Sequence, residues 1–134
     1  MIGSTRVAFE GLVFHGCEAE TDIGINAGRA IYARTTTDVR VNECTNLYGG
    51  SLIAQDDNAT DRGMRVTNCY IYGHRLACNP CTSALFAHNR FELPDSAGYD
   101  RVGSLGSSHF IYSFAGRDDI RIHDNHFVKC RVDA

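Results

Sequence analysis

The chain has 134 residues, of which 43% are hydrophobic and 22% are charged, a composition typical of one soluble domain rather than of a disordered chain. The formal net charge of -3 argues against general nucleic-acid binding, and no apolar run approaches the roughly 20 residues that span a bilayer. Residues 1–10 lack the apolar segment of a secretory signal.

A motif that recurs five times along the chain predicts short β-strands. It reads apolar, variable, apolar, two variable residues, a turn residue, and another apolar residue. The copies begin at Val7, Val39, Met64, Ala84 and Ile120. The second copy reaches its last apolar residue, Leu47, one position late, which predicts a β-bulge. A further strand is predicted before four of the copies, at 30–33, 51–54, 75–78 and 110–113.

One such unit cannot bury its apolar side alone, so we expect the units to stack about 4.8 Å apart with equivalent residues in ladders. The predicted inward ladders are Val7, Val39, Met64, Ala84, Ile120 and Phe9, Val41, Val66, Phe86, Ile122. The predicted turn ladder is Leu12, Cys44, Cys69, Asn89, Asn125. An Asn there can bond to the backbone and to the next Asn. The two longest units contain the insertions 18–28 and 92–108.

Three segments, VRVNECTNLYGG, MRVTNCYIYGH and DDIRIHDNHFVKC, carry a resemblance to a known family. They resemble the repeats of pectate-lyase-like proteins and bacteriophage tailspikes, and the resemblance covers roughly Thr5 to Cys130. The resemblance implies an all-β fold, a right-handed parallel β-helix (solenoid) of about five coils, with residues 1–134 as one domain. Another short-strand fold, such as a β-sandwich, is the structural alternative.

The resemblance favours a structural and glycan- or receptor-binding part of a tailspike- or tail-fibre-like assembly, located on a virion or outside the cell. The alternatives are a polysaccharide lyase or glycoside hydrolase acting on acidic glycans, and a non-catalytic cell-surface adhesin. Since no capping helix is evident, the chain is predicted to be a fragment or a subunit whose coil ends are covered by partners or further segments. The predicted assembly is a homotrimer that binds surface polysaccharide.

Outward positions of the strand that precedes each motif, predicted at Tyr32, Ile53, Ala77 and Tyr112, and the long insertion supply the candidate glycan-binding residues. Aromatic rings can stack on sugar faces, while amides and guanidinium groups bond to hydroxyl or acidic groups. The candidates are Tyr32, Arg34, Gln55, Arg75, Asn79, Tyr99, Arg101 and Tyr112. The same side chains could instead serve only to pack against a neighbouring chain.

Asp56 and Asp57, with His74, are the catalytic candidates, since stacked coils would bring carboxylates to separations used by glycosidases. The letters QDD and GH here are similar to those of polygalacturonases, although the aspartates follow the strand instead of opening it. Asp56, Asp57 and Asp61 could alternatively hold Ca²⁺ or form a solvated turn. No other cofactor is predicted.

Cys44 and Cys69 occupy the same turn position and are interpreted as stacked buried thiols, with a disulfide as the alternative. Cys78 and Cys81 form a CxxC pair between two predicted strands, a context that does not favour redox catalysis. The last repeat is predicted to turn His123, Asp124 and His126 towards solvent.

Overall fold

The computed structural model describes residues 6–15, 30–33, 37–47, 52–55, 62–72, 77–78, 83–92, 111–112 and 119–128. Across these ranges the protein is all-β, with fourteen strands of two to four residues and no helix. The same ranges accordingly hold no helix of the length and apolarity that crossing a membrane requires.

The described strands form three sheets. In the first, the order is β1 (Val7–Glu10), β4 (Val39–Asn42), β7 (Arg65–Thr67), β10 (Leu85–Ala87) and β13 (Arg121–His123). In the second, it is β2 (Val13–His15), β5 (Thr45–Leu47), β8 (Tyr70–Tyr72), β11 (Arg90–Glu92) and β14 (His126–Val128). In the third, it is β3 (Ile31–Ala33), β6 (Ile53–Gln55), β9 (Ala77–Cys78) and β12 (Ile111–Tyr112).

Every strand pairing in the described ranges is parallel. The chain visits the first, second and third sheets in rotation, and each strand pairs with the equivalent strand of the preceding and following repeats. A β-sandwich is built from antiparallel sheets, so that structural alternative does not describe this arrangement.

The predicted inward ladder of the first sheet is confirmed. Phe9 pairs with Val41, Val41 with Val66, Val66 with Phe86, and Phe86 with Ile122. The three middle residues are fully buried, whereas Ile122 in the last repeat is 52% exposed. Val39, Met64 and Ala84 of the other predicted ladder are buried in the same core. Apolar burial along these rows is the main favourable contribution to folding.

The predicted turn ladder is also confirmed, because its carbonyl groups link successive repeats. The carbonyls of Leu12, Cys44, Cys69 and Asn89 accept hydrogen bonds of 2.8 to 2.9 Å from the N–H groups of Thr45, Tyr70, Arg90 and His126, respectively. Each bond joins the turn of one repeat to the second-sheet strand of the next. These bonds therefore fix the register of the second-sheet strand in the next repeat.

Two asparagines close the end of this ladder with their side chains. Asn125 Oδ1 accepts hydrogen bonds from the backbone N–H and the side-chain Nδ2 of Asn89, at 2.9 and 3.0 Å. Asn89 Oδ1 in turn accepts a bond of 2.9 Å from the backbone N–H of Cys69. The bonding from one Asn to the next that was predicted from sequence is therefore present.

The two cysteines of the turn ladder are buried and free, which confirms their interpretation as stacked thiols. Cys44 Sγ donates to the carbonyl of Asn42 at 3.4 Å, and Cys69 Sγ donates to the carbonyl of Thr67 at 3.2 Å. Burial raises the pKa of the Cys69 thiol to about 12. The sulfur therefore keeps its proton and remains a hydrogen-bond donor at neutral pH.

Two positions differ from the predicted register by one residue. Asn46, and not Leu47, pairs with Phe14 and Ile71 and is buried, so the predicted bulge is wrong. Ile53, placed outward by the sequence analysis, pairs with Ile31 and is fully buried. A slip of one residue exchanges the two faces of a strand, which explains both errors.

A second row of turn residues adopts the left-handed conformation. Its φ angles lie between 53° and 64°, at Gly11, Glu43, Asn68, His88 and Asp124. Each of these residues comes directly after a first-sheet strand and directly before a member of the turn ladder. Gly, Asn, Asp and His are the residues that tolerate this region best, so four of the five match the local requirement.

Candidate functional site

Most of the candidate residues predicted from sequence lie outside the described residues. These are the catalytic candidates Asp56, Asp57 and His74, the additional Ca²⁺ candidate Asp61, and the glycan candidates Arg34, Arg75, Asn79, Tyr99 and Arg101. The remaining three, Tyr32, Gln55 and Tyr112, lie on strands of the third sheet.

Tyr32 and Tyr112 occupy the same row of the third sheet. The register runs from Tyr32 to Ala54, then to Cys78 and to Tyr112. The Tyr32 side chain is 39% exposed, so this position of β3 faces outward as predicted. Gln55 stands in the neighbouring row, opposite Ala33, whose side chain is buried. The structure therefore aligns the two tyrosines and separates their row from that of Gln55.

A row of arginines runs across the outer face of the first sheet. In register order the row contains Ala8, Arg40, Arg65, Leu85 and Arg121. The three arginines occupy the variable position of the apolar-variable-apolar motif, so strand alternation turns them away from the core. All three are exposed, with 46% of the side-chain surface accessible at Arg40 and 71% at Arg121. We call Arg40, Arg65 and Arg121 the arginine row.

Two members of the arginine row form ion pairs with aspartates that lie shortly before the start of the strand. Arg40 bonds to Asp38 at 3.1 Å, and Arg6 approaches the same carboxylate at 3.1 Å. Hydrogen bonding from Arg40 holds the pKa of Asp38 below its usual value. Arg121 pairs with Asp119 at 2.9 Å. These pairs are exposed, so each contributes little to stability.

Arg65 differs from the other two arginines of the row. Within the described part of the chain, no carboxylate pairs with it. It lies one strand from Arg40, and neighbouring strands are about 4.8 Å apart. Because Arg40 already pairs with Asp38, Arg65 is the member of the row that the described residues leave open to an external anion. Guanidinium groups bind carboxylate, sulfate and phosphate through two parallel hydrogen bonds.

The outer face of the second sheet carries an arginine in a different setting. Arg90 pairs with Glu92 at 3.1 Å and its guanidinium carbon lies 5.9 Å from the centre of the Tyr70 ring. The Tyr70 hydroxyl also bonds to Glu92 at 3.2 Å, and burial together with this carboxylate raises the pKa of Tyr70. This arginine is neutralised by its own neighbours, which makes it a comparison for Arg65.

Sequence reasoning did not identify Arg40 and Arg65. Their signal was present in the tripeptides VRV, MRV and IRI, which put an arginine between the two inward residues of three repeats. Treating the variable position of each repeat as a ladder of its own would have placed the three arginines on one face. The candidate site that results is an anion-binding strip that crosses the strands of the first sheet.

No protein-family model matches this chain, and neither a curated protein nor a solved structure is detectably similar to it.

Proposed function

We propose that the chain is a right-handed parallel β-helix of about five coils that serves as a structural and glycan-binding component of a tailspike- or tail-fibre-like surface assembly. The observation that carries this proposal is the arginine row on an exposed, in-register parallel sheet. The rotation of the chain through three sheets supports the solenoid. An acidic polysaccharide is the ligand whose repeated charges best suit arginines repeated across strands.

The tyrosine row of the third sheet supports sugar binding independently. Tyr32 presents an accessible ring, and Tyr112 occupies the same row three strands away. Aromatic rings offer an apolar face for sugar carbons and a hydroxyl for sugar oxygens. In this proposal the arginine row supplies attraction to acidic groups, and the tyrosine row supplies contacts to the sugar rings.

The proposal includes a homotrimer in which other copies or further segments cover the ends of the stack. Large apolar side chains are exposed on strands of the first and last repeats, with Val13 at 68% and Phe127 at 46%. Apolar side chains exposed together favour association. Light scattering coupled to size exclusion measures the molar mass directly, and a mass equal to one chain at high concentration contradicts the trimer.

The decisive experiment measures binding of fluorescently labelled polygalacturonate and of neutral dextran to the full chain by anisotropy. We expect the chain to bind polygalacturonate and not dextran. The affinity for polygalacturonate should fall as the salt concentration increases, because salt screens exposed charges. Arg65→Ala should weaken binding by about tenfold, the equivalent of roughly 1.4 kcal/mol and close to the range for one charge-assisted hydrogen bond.

Arg90→Ala is the matched control, since it removes an exposed arginine that Glu92 already neutralises. Equal affinity for dextran, or an Arg65→Ala variant that binds as well as the parent chain, would contradict the proposal. The enzymatic alternative predicts a further signal in the same samples. Reducing ends would indicate hydrolysis, and unsaturated uronate would indicate a lyase; unchanged polysaccharide supports binding without catalysis.

A further inference from the structure

Two histidines and an aspartate converge at the far end of the first sheet. His123 is the last residue of β13 and pairs with Ala87, the last residue of β10. His88 and Asp124 directly follow these two residues. The cluster therefore combines two neighbouring repeats that lie 36 residues apart in the sequence.

The backbone holds the three side chains together. His88 and Asp124 adopt the left-handed conformation, with φ of 57° and 53°, at equivalent turns of consecutive repeats. All three side chains are exposed, as was predicted for His123 and Asp124. One donor atom from each residue lies within 4.8 Å of the donor atoms of the other two. The position of the cluster thus follows from strand register and turn geometry, and not from a mobile side chain alone.

The contacts inside the cluster show how the donors are oriented. His123 Nδ1 lies 2.8 Å from Asp124 Oδ2. The rings of His88 and His123 lie edge to face, with their centres 5.9 Å apart.

We propose that His88, His123 and Asp124 bind a divalent first-row transition-metal ion such as Zn²⁺, with water in the remaining coordination positions. Two imidazole nitrogens and one carboxylate oxygen are donors that suit Zn²⁺, Ni²⁺ or Cu²⁺, whereas Ca²⁺ and Mg²⁺ prefer oxygen donors alone.

The geometry requires only a small closure. Ligand atoms about 2.0 to 2.1 Å from a tetrahedral zinc ion lie roughly 3.3 Å apart, so the donor atoms that are farthest from each other must approach by at most about 1.5 Å. Exposed side chains can make this adjustment by rotating, because no packed core opposes them. The ion would replace the hydrogen bond between His123 and Asp124 with two coordination bonds.

Titration calorimetry with ZnCl₂ on the full chain tests the site, with CaCl₂ as the comparison ion. The variants are His88→Asn and Asp124→Asn, since Asn tolerates the left-handed turn, and His123→Gln on the strand. Each substitution removes a proposed metal ligand. It should therefore lower zinc affinity by more than about tenfold, which is the smallest loss expected when a residue that only orients a ligand is removed. His126→Gln is the matched control, an exposed histidine of the same repeat outside the cluster, and it should bind as the parent chain does.

A spectroscopic measurement separates this site from the thiols, since the chain has six cysteines that can also bind zinc. Nitrogen-15 spectra of the imidazoles should show the His88 and His123 signals changing on zinc addition while the His126 signals stay fixed. Co²⁺ bound at the site should show no thiolate charge-transfer band. Zinc binding that the three variants leave unchanged, or that moves no imidazole signal, would overturn the proposal.

Discussion

Asparagine and cysteine approach the same carbonyl groups at the turn-ladder position. Asn125 Nδ2 donates to the carbonyl two residues earlier and to the carbonyl of Phe86 in the preceding repeat, each at 2.9 Å. Cys69 Sγ lies 3.2 Å from the carbonyl oxygen two residues earlier and 3.8 Å from that of Val41 in the preceding repeat, and its single proton can be donated to only one of them at a time. The thiol thus replaces the amide as a donor in the buried turn, with a longer and weaker bond.

The raised pKa of Cys69 predicts a loss of stability in alkali. Between the ordinary value of 9.0 and the folded value of about 12, the unfolded chain releases the thiol proton and the folded chain keeps it. The contribution of this thiol is therefore complete below pH 9 and is lost as pH rises towards 12, by at most about 1.4 kcal/mol per pH unit.

Denaturant unfolding at several pH values checks this, with Cys69→Asn as the comparison. The variant keeps a donor at the same position and removes the titrating group. The difference in unfolding free energy between parent and variant should be constant below pH 9 and should move in favour of the variant above it. A difference that stays constant through pH 11 would contradict the prediction.

At the scale of the strand and its turn, the left-handed residues determine where first-sheet strands begin and end. The row of left-handed turn residues that runs from Gly11 to Asp124 follows these strands. Gly63, Ser83 and Asp119 also adopt positive φ, shortly before β7, β10 and β13. Most side chains are strained in this region, by about 1 to 2 kcal/mol. The turns are therefore defined by a backbone conformation, and side-chain packing defines the strands between them.

Two glycines in this conformation give a matched pair of substitutions. A Cβ on Gly63 would lie 2.7 Å from the backbone carbonyl oxygen of Thr37, whereas one on Gly11 meets no atom within 4 Å. Gly11→Ala should cost only the backbone strain, about 1 to 2 kcal/mol. Gly63→Ala should cost clearly more, because a backbone oxygen of the neighbouring repeat has to move.

Thermal and denaturant unfolding of the two glycine variants measures the difference. Equal losses of unfolding free energy would mean that the close approach between Gly63 and Thr37 does not exist in solution. A glycine-to-asparagine change at position 11 should recover part of its loss, since Asn tolerates positive φ.

The sequence predicted the rows that alternate clearly and failed where apolar residues are adjacent. An arginine separates Val41, and likewise Val66, from the apolar residue before it. The inward direction of the two valines therefore follows from the alternation of apolar and polar residues. Leu52 and Ile53 are both fully buried, at a turn and at the start of a strand, and this pair carries no alternation to read. The error at Leu47 has a different origin, because the buried residue of β5 is the polar Asn46 and not an apolar residue.

The candidate sites were harder to predict because they combine residues from different repeats. Arg65 and Arg40 become neighbours only after the strands are paired, and the same holds for His88 and His123. A motif search along one segment cannot find such sites. Tyr32 and Tyr112 were predicted together because each lies in an easily recognised strand of the same type.

Across the whole molecule, burial is greatest in the middle repeats and decreases towards the ends. Ile71 in the third repeat is fully buried, whereas Ile122 in the fifth is about half exposed. In a stack of repeats each unit is stabilised by its neighbours on both sides, and a terminal unit has one neighbour among the described residues. Stability should therefore be graded along the stack.

The same substitution at these two isoleucines tests the gradient. Ile71→Ala should cost about 2 to 5 kcal/mol, the range for a fully buried isoleucine, and Ile122→Ala should cost less than half as much. Chemical denaturation of dilute protein measures both. Similar losses at the two sites would indicate that Ile122 is covered in solution, which would contradict the exposed last repeat and favour an assembled end.

Paired positions in successive repeats are separated by 32, 25, 20 and 36 residues, yet the strands they belong to keep a common register. The length of the connecting segments thus varies widely at little cost, because doubling a flexible loop adds only about 0.6 kcal/mol of closure entropy. A foreign peptide grafted into residues 93–110 should leave the strand pairing intact. The stack of strands would then carry a new surface segment without redesign of its interior.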